Sequence, residues 1–304
     1  MRIHVLGSAA GGGFPQWNCN CPNCDGVRKG TLRARRRTQS SITVSGDGQE
    51  WLLFNASPDI LQQVQAFPEL QPARRLRDTA IRAVLLIDAQ IDHTTGLYML
   101  RERNTPLDIW CTEPVREDLS VGNPIFKLLE HYCGVRWHSL PLESDFTIDG
   151  IEGLSFRALP LKSKAPPYSP HRHDPQPGDN VGVTITDTQS GRRAFYAPGL
   201  GEIEPHVWKA MQAADQVLVD GTFWSNDEME RLAIAPKRAL DLGHLPQSGP
   251  GGMMEWLSLL PADTRKTLIH INNTNPILNE DSPERAQLDA LCIEVAFDGL
   301  DIHL

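Results

Sequence analysis

The chain is organised around one stretch, Asp88-Ala89-Gln90-Ile91-Asp92-His93. It follows the apolar run 83–87, whose length and β-branched residues are typical of a buried strand. Leu97 to Leu100 come next and look like the opening of a helix. Polar groups between a strand and a helix lie at the edge of a sheet, where α/β proteins place their chemistry. The stretch therefore predicts a functional site, with a purely structural helix cap at Asp92 as the alternative.

The composition is that of a globular protein with a substantial core. Of 304 residues, 40% are hydrophobic and 22% are charged, and the formal net charge is −9. This negative charge disfavours a nucleic-acid partner, although the arginines between Arg33 and Arg37 are candidates for gripping an anionic substrate. No apolar run is long enough to cross a bilayer, and the N-terminus lacks a signal-peptide pattern. We therefore expect a cytoplasmic protein without membrane insertion.

Three of the six cysteines crowd into one short segment: Cys19, Cys21 and Cys24. Three thiolates so close together can surround one tetrahedral ion, and Pro22 suits the tight turns that this requires. In a reducing compartment such a cluster is more often a metal site than a disulfide framework. We therefore predict a zinc site near residues 17–26 with a fourth ligand from elsewhere, and the alternative is three unrelated thiols in one loop. The other three cysteines are expected to be free, mostly buried thiols: Cys111, Cys133 and Cys292.

Further polar residues recur where apolar strands end. Asp220 and His270 each follow a short apolar run, and His244 precedes a helical segment. A lone histidine at the end of a strand is usually structural, but several such groups in one chain are harder to explain in that way. Imidazole and carboxylate groups together suit zinc or iron. These residues therefore extend the predicted site beyond Asp92 and His93.

Strands and helices alternate along the whole chain, which predicts an α/β sandwich with its chemistry at one edge. No linker-like segment interrupts this alternation, so we predict one domain over residues 1–304. Lys162 to Asn180, rich in Pro and His, is typical of a lid or mobile loop, in which we expect His171 and His173 to be solvated. The last two strands are expected to pair through a turn at Asp298-Gly299.

These motifs together resemble the metallo-β-lactamase superfamily. Asp92-His93-x-x-Gly96 after a strand is similar to its signature His-x-His-x-Asp-His, and the later order of Asp220, Gly243-His244 and His270 is similar as well. The resemblance implies an αββα sandwich. The thiol loop resembles the structural zinc loop of a phosphodiesterase branch, in which a histidine stands at the position of Asn273. Asn273 is therefore the candidate fourth zinc ligand.

A narrower resemblance covers the whole chain, and it is to the coenzyme PQQ synthesis protein B family. The segments that carry it are Gly7 to Cys19, Arg37 to Ser41, Asn55 to Asp59, Asp92 to Gly96, Asp220 to Phe223, and His270 to Pro276. This resemblance implies a role in the biosynthesis of pyrroloquinoline quinone (PQQ). It further implies iron-dependent hydroxylation of the tyrosine ring of a peptide-derived Glu-Tyr precursor.

The sequence departs from the superfamily's hydrolases at several metal positions. The two leading histidines are replaced by Asp88 and Gln90, and Gly199 stands where the bridging aspartate would be. Most ligands of a two-metal site are therefore missing, which disfavours a paired-metal hydrolase. What remains is the set Asp92, His93 and His270. Two imidazoles and one carboxylate are the ligand set of non-haem Fe(II) oxygenases, and Asp88 or Gln90 are candidates to complete it or to hold a bound water.

The remaining roles follow from this interpretation. Asp220 and His244 resemble a carboxylate–imidazole pair that would move protons during the reaction. The expected partners are the Glu-Tyr precursor or PQQ itself, and a homodimer is a candidate assembly. Two alternatives to an oxygenase stay open at this point. One is a carrier that helps PQQ or its precursor to leave the cytoplasm, and the other is a zinc-dependent hydrolase.

Overall fold

Two mixed seven-stranded sheets stack face to face in the computed structural model, which describes residues 1–304. The first contains, in spatial order, β14 (Asp301–His303), β1 (Arg2–Gly7), β2 (Ser41–Ser45), β3 (Trp51–Phe54), β4 (Ile81–Leu85), β5 (Leu107–Cys111) and β6 (Val135–Ser139). The second contains β13 (Ile293–Val295), β12 (Arg265–Ile269), β11 (Gln216–Asp220), β10 (Arg193–Ala197), β9 (Val181–Asp187), β8 (Leu154–Pro160) and β7 (Asp145–Phe146). In the first sheet, starting from β14, three antiparallel pairings are followed by three parallel ones. The second sheet, starting from β7, repeats this pattern.

Helices cover the outer face of each sheet. On the first sheet these are α2 (Ile60–Ala66), α4 (Glu113–Glu117) and α5 (Ile125–Leu129), with α3 (Ile91–Thr94) after the end of β4. On the second they are α1 (Pro22–Lys29), α6 (Pro205–Gln212), α8 (Met253–Ser258) and α9 (Pro283–Ala290), and α7 (Glu228–Arg231) lies in the loop after β11. Short 3₁₀ turns occupy Pro68–Leu70, Thr95–Arg101, Leu240–Leu242 and Pro276–Leu278, and Asp118–Gly122 is a π-helical turn. The predicted αββα sandwich is therefore confirmed, and none of its helices has the length and apolar character needed to span a bilayer.

The central core lies between the two sheets. Phe54 of β3 packs edge-on against Tyr196 of β10, with ring centroids 5.5 Å apart, and Phe156 of β8 lies 6.4 Å from Phe54. Every residue of β2, β3 and β11 is buried. Strands that are covered on both faces often read as continuous apolar runs, and the run 83–87 identified in the sequence overlaps β4.

The last two strands do not form the hairpin expected at Asp298-Gly299. β13 pairs in parallel with β12, whereas β14 crosses to the first sheet and pairs antiparallel with β1. The carboxylate of Asp298 accepts hydrogen bonds from Ser8 Oγ and from the backbone N–H of Thr38. The segment between the two strands thus ties the sheets together. The turn chemistry was correctly predicted, but the partner strands were not, because strand pairing depends on distant residues.

The carboxyl ends of the parallel strands lie at one edge of the sandwich. Asp220 at the end of β11 pairs with Ile269 at the end of β12, so the next residue, His270, emerges beside it. The glycine-rich segment after β1 crosses the same edge, because Ala9 forms isolated bridges with Gln39 and with Ile271. This edge is where open α/β sheets bind ligands.

Candidate metal centre

Asp92, His93 and His270 meet at this edge, and we call them the metal triad. Helix α3 presents Asp92 and His93, and the loop after β12 presents His270. The Nε2 atoms of His270 and His93 lie 3.3 Å and 3.8 Å from the same oxygen, Oδ2 of Asp92. The two rings are 5.3 Å apart. Two imidazole nitrogens therefore converge on one carboxylate oxygen, and metal binding by the three residues stays a prediction.

One ring nitrogen of His93 forms a hydrogen bond, and the other forms none. Its Nδ1 atom lies 2.7 Å from Oδ1 of Asp88, and that oxygen also accepts the backbone N–H of Gln90 at 2.9 Å. Its Nε2 atom is buried and has no hydrogen-bond partner. A buried polar atom without a partner is costly, and a carboxylate behind the opposite nitrogen is the usual support of a histidine that binds a metal. The donor set therefore fits a divalent metal ion.

Thr222 supports His270 in a comparable way. Its hydroxyl donates to the backbone carbonyl of His270 at 2.9 Å and lies 2.9 Å from His270 Nδ1. Because the hydroxyl has only one proton to donate, it accepts a hydrogen bond from Nδ1–H, and Nε2 keeps its lone pair towards Asp92. His270 also has a left-handed backbone, with φ of 61°, which is uncommon for a residue with a side chain. No pattern in the sequence pointed to this role of Thr222.

The charges around the triad favour a bound cation. Burial opposes ionisation of Asp92, but His93 and His270 outweigh it and hold the pKa of this carboxyl far below its usual range. Burial likewise opposes protonation of His93, but Asp88 and Asp92 outweigh it and raise its pKa to about 9. The same two carboxylates that favour a proton on His93 would favour a metal ion on it. Metal binding here would therefore compete with a proton.

Asp220 and His244 form the expected pair, with Oδ2 and Nδ1 2.6 Å apart. Asp220 is fully buried, and its two oxygens also accept the backbone N–H groups of Leu200 and Thr222 at 2.8 Å and 2.9 Å. The His244 ring stacks on His270 at 5.4 Å. Burial acts against the protonation of His244, yet the Asp220 carboxylate raises its pKa. The pair can therefore hold a proton beside the triad.

Asp88 and Gln90, the two further candidate ligands, have different hydrogen-bond partners. The contacts above place Asp88 behind His93. The side chain of Gln90 donates from Nε2 to the carbonyl of Lys164 at 3.3 Å. Asp88 therefore orients the candidate ligand His93, and direct metal binding by Asp88 or Gln90 stays a prediction.

Two loops close over this edge. A Cβ added to Gly11 would lie 3.3 Å from Oδ2 of Asp92, so the glycine-rich turn passes directly against the carboxylate. The segment Lys162–Asn180, which we call the lid loop, is anchored by Tyr168, whose hydroxyl donates to the carbonyl of Ala89. His173 is exposed as expected, but the prediction that His171 is solvated is wrong. Its Nε2 atom lies 2.6 Å from Oδ1 of the buried Asp179.

The arginines between Arg33 and Arg37 have structural partners. Arg33 pairs with Asp281 at 2.6 Å, and Arg35 lies 3.5 Å from Glu280. Arg37 is buried and donates to the carbonyl of Ala296 at 3.3 Å. These contacts bind the segment to the β13 side of the molecule. The structure therefore does not support the role in substrate binding that the sequence suggested for them.

The three thiols of the zinc loop converge as predicted. The sulfur atoms of Cys19, Cys21 and Cys24 lie within 4.8 Å of one another. The side-chain amide of Asn273 lies against all three, with its terminal nitrogen 3.0, 3.6 and 3.4 Å away, respectively. The oxygen and nitrogen of a side-chain amide are distinguished only by their hydrogen-bond partners. A rotated Asn273 side chain would therefore place its oxygen against the three sulfur atoms. The donor set fits a zinc ion. Of the other cysteines, Cys111 is buried as expected, but Cys292 is exposed.

Comparison with known proteins agrees with this architecture. A model of the beta-lactamase superfamily domain matches residues 50–271. The chain is 69% identical over 304 residues to coenzyme PQQ synthesis protein B of Azoarcus sp. (strain BH72), with 100% of both chains covered. It is 62% identical over 305 residues to the protein of the same name from Methylococcus capsulatus, again with 100% of both covered.

Solved structures support the same assignment to the beta-lactamase superfamily. The crystal structure of Zn(2+)-bound PqqB from Methylobacterium extorquens has a TM-score of 0.91 and 38% identity, with 100% of both chains covered. A diphosphatase of the PhnP family has a TM-score of 0.68 over 100% of this chain and 97% of the other, but its 18% identity shows the fold alone. This chain therefore belongs to the coenzyme PQQ synthesis protein B family of the beta-lactamase superfamily, whose members act in PQQ biosynthesis.

Proposed function

We propose that this protein is a non-haem iron oxygenase of PQQ biosynthesis that hydroxylates the tyrosine ring of a peptide-derived Glu-Tyr precursor. The metal triad would hold ferrous iron, and the thiol cluster with Asn273 would hold structural zinc. The observation that carries the proposal is the convergence of two imidazole Nε2 atoms on Oδ2 of Asp92, one of them buried and without a partner. Two imidazoles and one carboxylate leave coordination positions open for oxygen and substrate.

The surroundings of the triad argue for one metal ion and against two. Asp88, at a position where the hydrolases have a histidine, is engaged with His93. Gly199, at the position of their bridging aspartate, has no side chain, and a Cβ built on it would meet nothing within 4 Å. A paired-metal hydrolase needs ligands that bridge and complete a second site. Zinc in the relative from Methylobacterium extorquens is the observation that favours a zinc-dependent hydrolase as the second candidate.

Bound ferrous iron would supply the activation of O₂ that ring hydroxylation requires. One oxygen atom would enter the ring, and the other would be reduced to water by two electrons and two protons, with the electrons taken from an external reductant such as ascorbate. Residues of this chain would accept and transfer the protons. Nδ1 of His244 is taken by Asp220, so the Nε2 atom of that ring is available to accept the phenolic proton. Asp220 stabilises the imidazolium that results and is itself fixed by two backbone N–H groups. The loss of the proton makes the phenol ring more electron-rich and therefore easier to oxygenate.

The test combines metal analysis with O₂ uptake. Protein purified without oxygen is expected to contain iron at the triad and zinc at the thiol loop. With ascorbate as the reductant, it is expected to consume O₂ with a Glu-Tyr dipeptide only when iron is present. His270→Ala should lose the iron while the zinc and the fold are retained, because His270 contributes one of three ligands. His131→Ala, a change at an exposed histidine, is the matched control.

Three outcomes would count against the proposal. The first is stoichiometric iron in His270→Ala. The second is hydrolysis by the zinc-loaded protein without O₂ uptake, which would favour a hydrolase. The third is an iron-loaded protein that binds PQQ or the dipeptide but consumes no O₂, which would favour a carrier.

A further inference from the structure

A second concave surface lies at the other end of the first sheet. It has a volume of about 1050 Å³, and its walls are formed mainly by the segments 72–82 and 99–105. These segments precede β4 and β5, whereas the metal triad follows the carboxyl end of β4. The surface is therefore separated from the metal centre by the length of a strand. We call it the arginine groove after its cationic lining residues: Arg74, Arg75, Arg77, Arg82 and Arg103.

Three of these five arginines have no carboxylate partner. Arg74 is paired with Asp78 at 2.9 Å, and Arg82 is paired with Asp149 at 3.2 Å. Arg75 and Arg77 are exposed and form no ion pair, and Arg103 donates only to the backbone carbonyl of Ile81, at 3.5 Å. Elsewhere the chain carries an excess of acidic residues, since its net charge is −9. A local group of free guanidinium groups in such a chain points to an anionic ligand.

The apolar residues of the groove show what kind of anion it fits. Leu76 is completely exposed between Arg75 and Arg77, and the partly exposed Met99 lies in the opposite wall. Guanidinium groups grip carboxylates through paired N–H donors, and an apolar side chain between them suits a peptide that carries both kinds of group.

A nucleic acid fits the groove less well. No aromatic ring lines it, so it offers no platform on which a base could stack. Its walls also carry three carboxylates that pair with arginines and so interrupt the positive surface that a regular phosphodiester backbone would follow: Glu50, Asp78 and Glu102. The phosphates of a nucleic acid are evenly spaced and cannot avoid these carboxylates. A short acidic peptide can, because each of its charged side chains is positioned separately.

We propose that the arginine groove binds an extended acidic segment of a partner protein. Arg75 and Arg77 grip carboxylates of that segment, Arg103 provides a third cation within the groove, and Leu76 packs against an apolar side chain. This surface is independent of the metal triad, so the proposal stands whether or not the protein is an oxygenase.

The proposal is tested with the full chain and a fluorescein-labelled peptide of Glu-Glu-Leu repeats, whose binding is followed by fluorescence anisotropy. Binding is expected at low salt and should weaken as salt is added, because exposed charges are screened. Arg75→Glu with Arg77→Glu should weaken it roughly tenfold, since two attractive contacts become repulsive. Leu76→Ser should weaken it by a smaller factor. A peptide of Gln-Gln-Leu repeats should not bind.

The matched control is the double variant Arg36→Glu with Arg193→Glu. Both of these arginines are exposed and have no ion-pair partner, and the change in net charge is the same. Thermal melts verify that all variants fold. The proposal is overturned if the wild-type chain does not bind the acidic peptide, or if the control loses as much affinity as the groove variant. Tighter binding of an oligothymidine of equal length would assign the groove to nucleic acid and also overturn it.

Discussion

Three imidazoles at the sheet edge are all held through their Nδ1 atoms. Asp88 holds His93, Asp220 holds His244, and the hydroxyl of Thr222 lies against His270. In each ring the Nε2 atom is left for chemistry. Such supporting contacts fix which nitrogen carries the proton and how the ring is turned. The supports are therefore as much a part of the candidate site as the ligands.

Thr222 offers a direct test of this support. Thr222→Val keeps the shape of the side chain but removes the acceptor for His270 Nδ1–H, so iron should bind roughly tenfold more weakly. Thr222→Ser retains the hydroxyl and should restore most of the affinity. Competition with a chelator measures both values. Equal affinities for the valine variant and the wild-type chain would refute the role of the hydroxyl.

Glu228 makes the stability of the fold depend on pH. Burial raises its pKa to about 7 from an ordinary value of 4.5, although Thr274 Oγ1 and the backbone N–H of Trp224 donate to its carboxylate. Between these pH values the folded chain keeps a proton that the unfolded chain releases. The free energy of unfolding contributed by this group therefore falls as the pH rises through this range.

Glu228→Gln should remove this dependence, because the amide does not ionise. Above pH 7 the variant should be more stable than the wild type by on the order of 2 kcal/mol. Urea unfolding at pH 5 and at pH 8 measures the difference, with Glu152→Gln as a control at an exposed glutamate. A pH dependence that is the same in Glu228→Gln and the wild type would show that Glu228 is not the source.

At the scale of elements, helix α3 is clamped by the turn after β3. The backbone N–H of Ala56 donates to the carbonyl of His93 at 2.6 Å, and that of Gly96 donates to the carbonyl of Ala56 at 2.8 Å. A Cβ on Gly96 would lie only 2.2 Å from the carbonyl oxygen of Ser57. The glycine of the Asp-His-x-x-Gly motif is thus needed so that the helix can approach this turn and hold Asp92 and His93 at the sheet edge.

Gly96→Ala should therefore destabilise the fold by about 1–3 kcal/mol, since backbone atoms must move to admit the methyl group. The matched control is Gly199→Ala, because a Cβ at that position meets nothing within 4 Å. Its effect should stay within about 0.5 kcal/mol. Chemical denaturation measures both, and a similar small effect for Gly96→Ala would contradict the close approach.

At the scale of the whole molecule, the two sheets present equivalent strands to the same edge. β4 and β11 occupy equivalent positions in their sheets. Each is the fifth strand when the strands are counted from the end at which neighbours pair antiparallel. Asp88 follows the first and Asp220 ends the second, and each carboxylate holds the Nδ1 atom of a histidine. The site is therefore built from corresponding positions of two similar halves, with His270 between the two pairs.

The zinc loop and the metal triad share one segment of backbone, because Asn273 follows His270 by three residues. Cys24→Ser should lose the zinc and lower the melting temperature by several degrees, since a structural metal contributes to folding. It should also weaken the retention of iron, because the loop that carries His270 loses its anchor. Metal analysis and thermal melts measure these effects, and Cys292→Ser is the control at an exposed thiol. Unchanged zinc content in Cys24→Ser would contradict the assignment.

The sequence by itself was enough to locate several buried strands and the three neighbouring thiols, and to single out the residues of the triad as candidate metal ligands. β3 is buried on both faces and uniformly apolar, and the buried strand β11 has an apolar centre, Val217 to Val219, so both mark their own positions. The polar residues that follow such strands are confined to one edge of the sheet. Edge strands such as β6, whose residues are only partly buried or exposed, carry no comparable signal and were missed.

Only the tertiary structure decided the partners of the polar residues. Nothing near Asp88 in the sequence shows that it supports His93 rather than binding a metal, and nothing near Arg33 shows that its partner is Asp281. The same is true of β14, which pairs with β1 at the far end of the chain. These contacts join residues that only folding brings together. Local patterns therefore predict which groups are present, and the packing of distant segments determines what each group does.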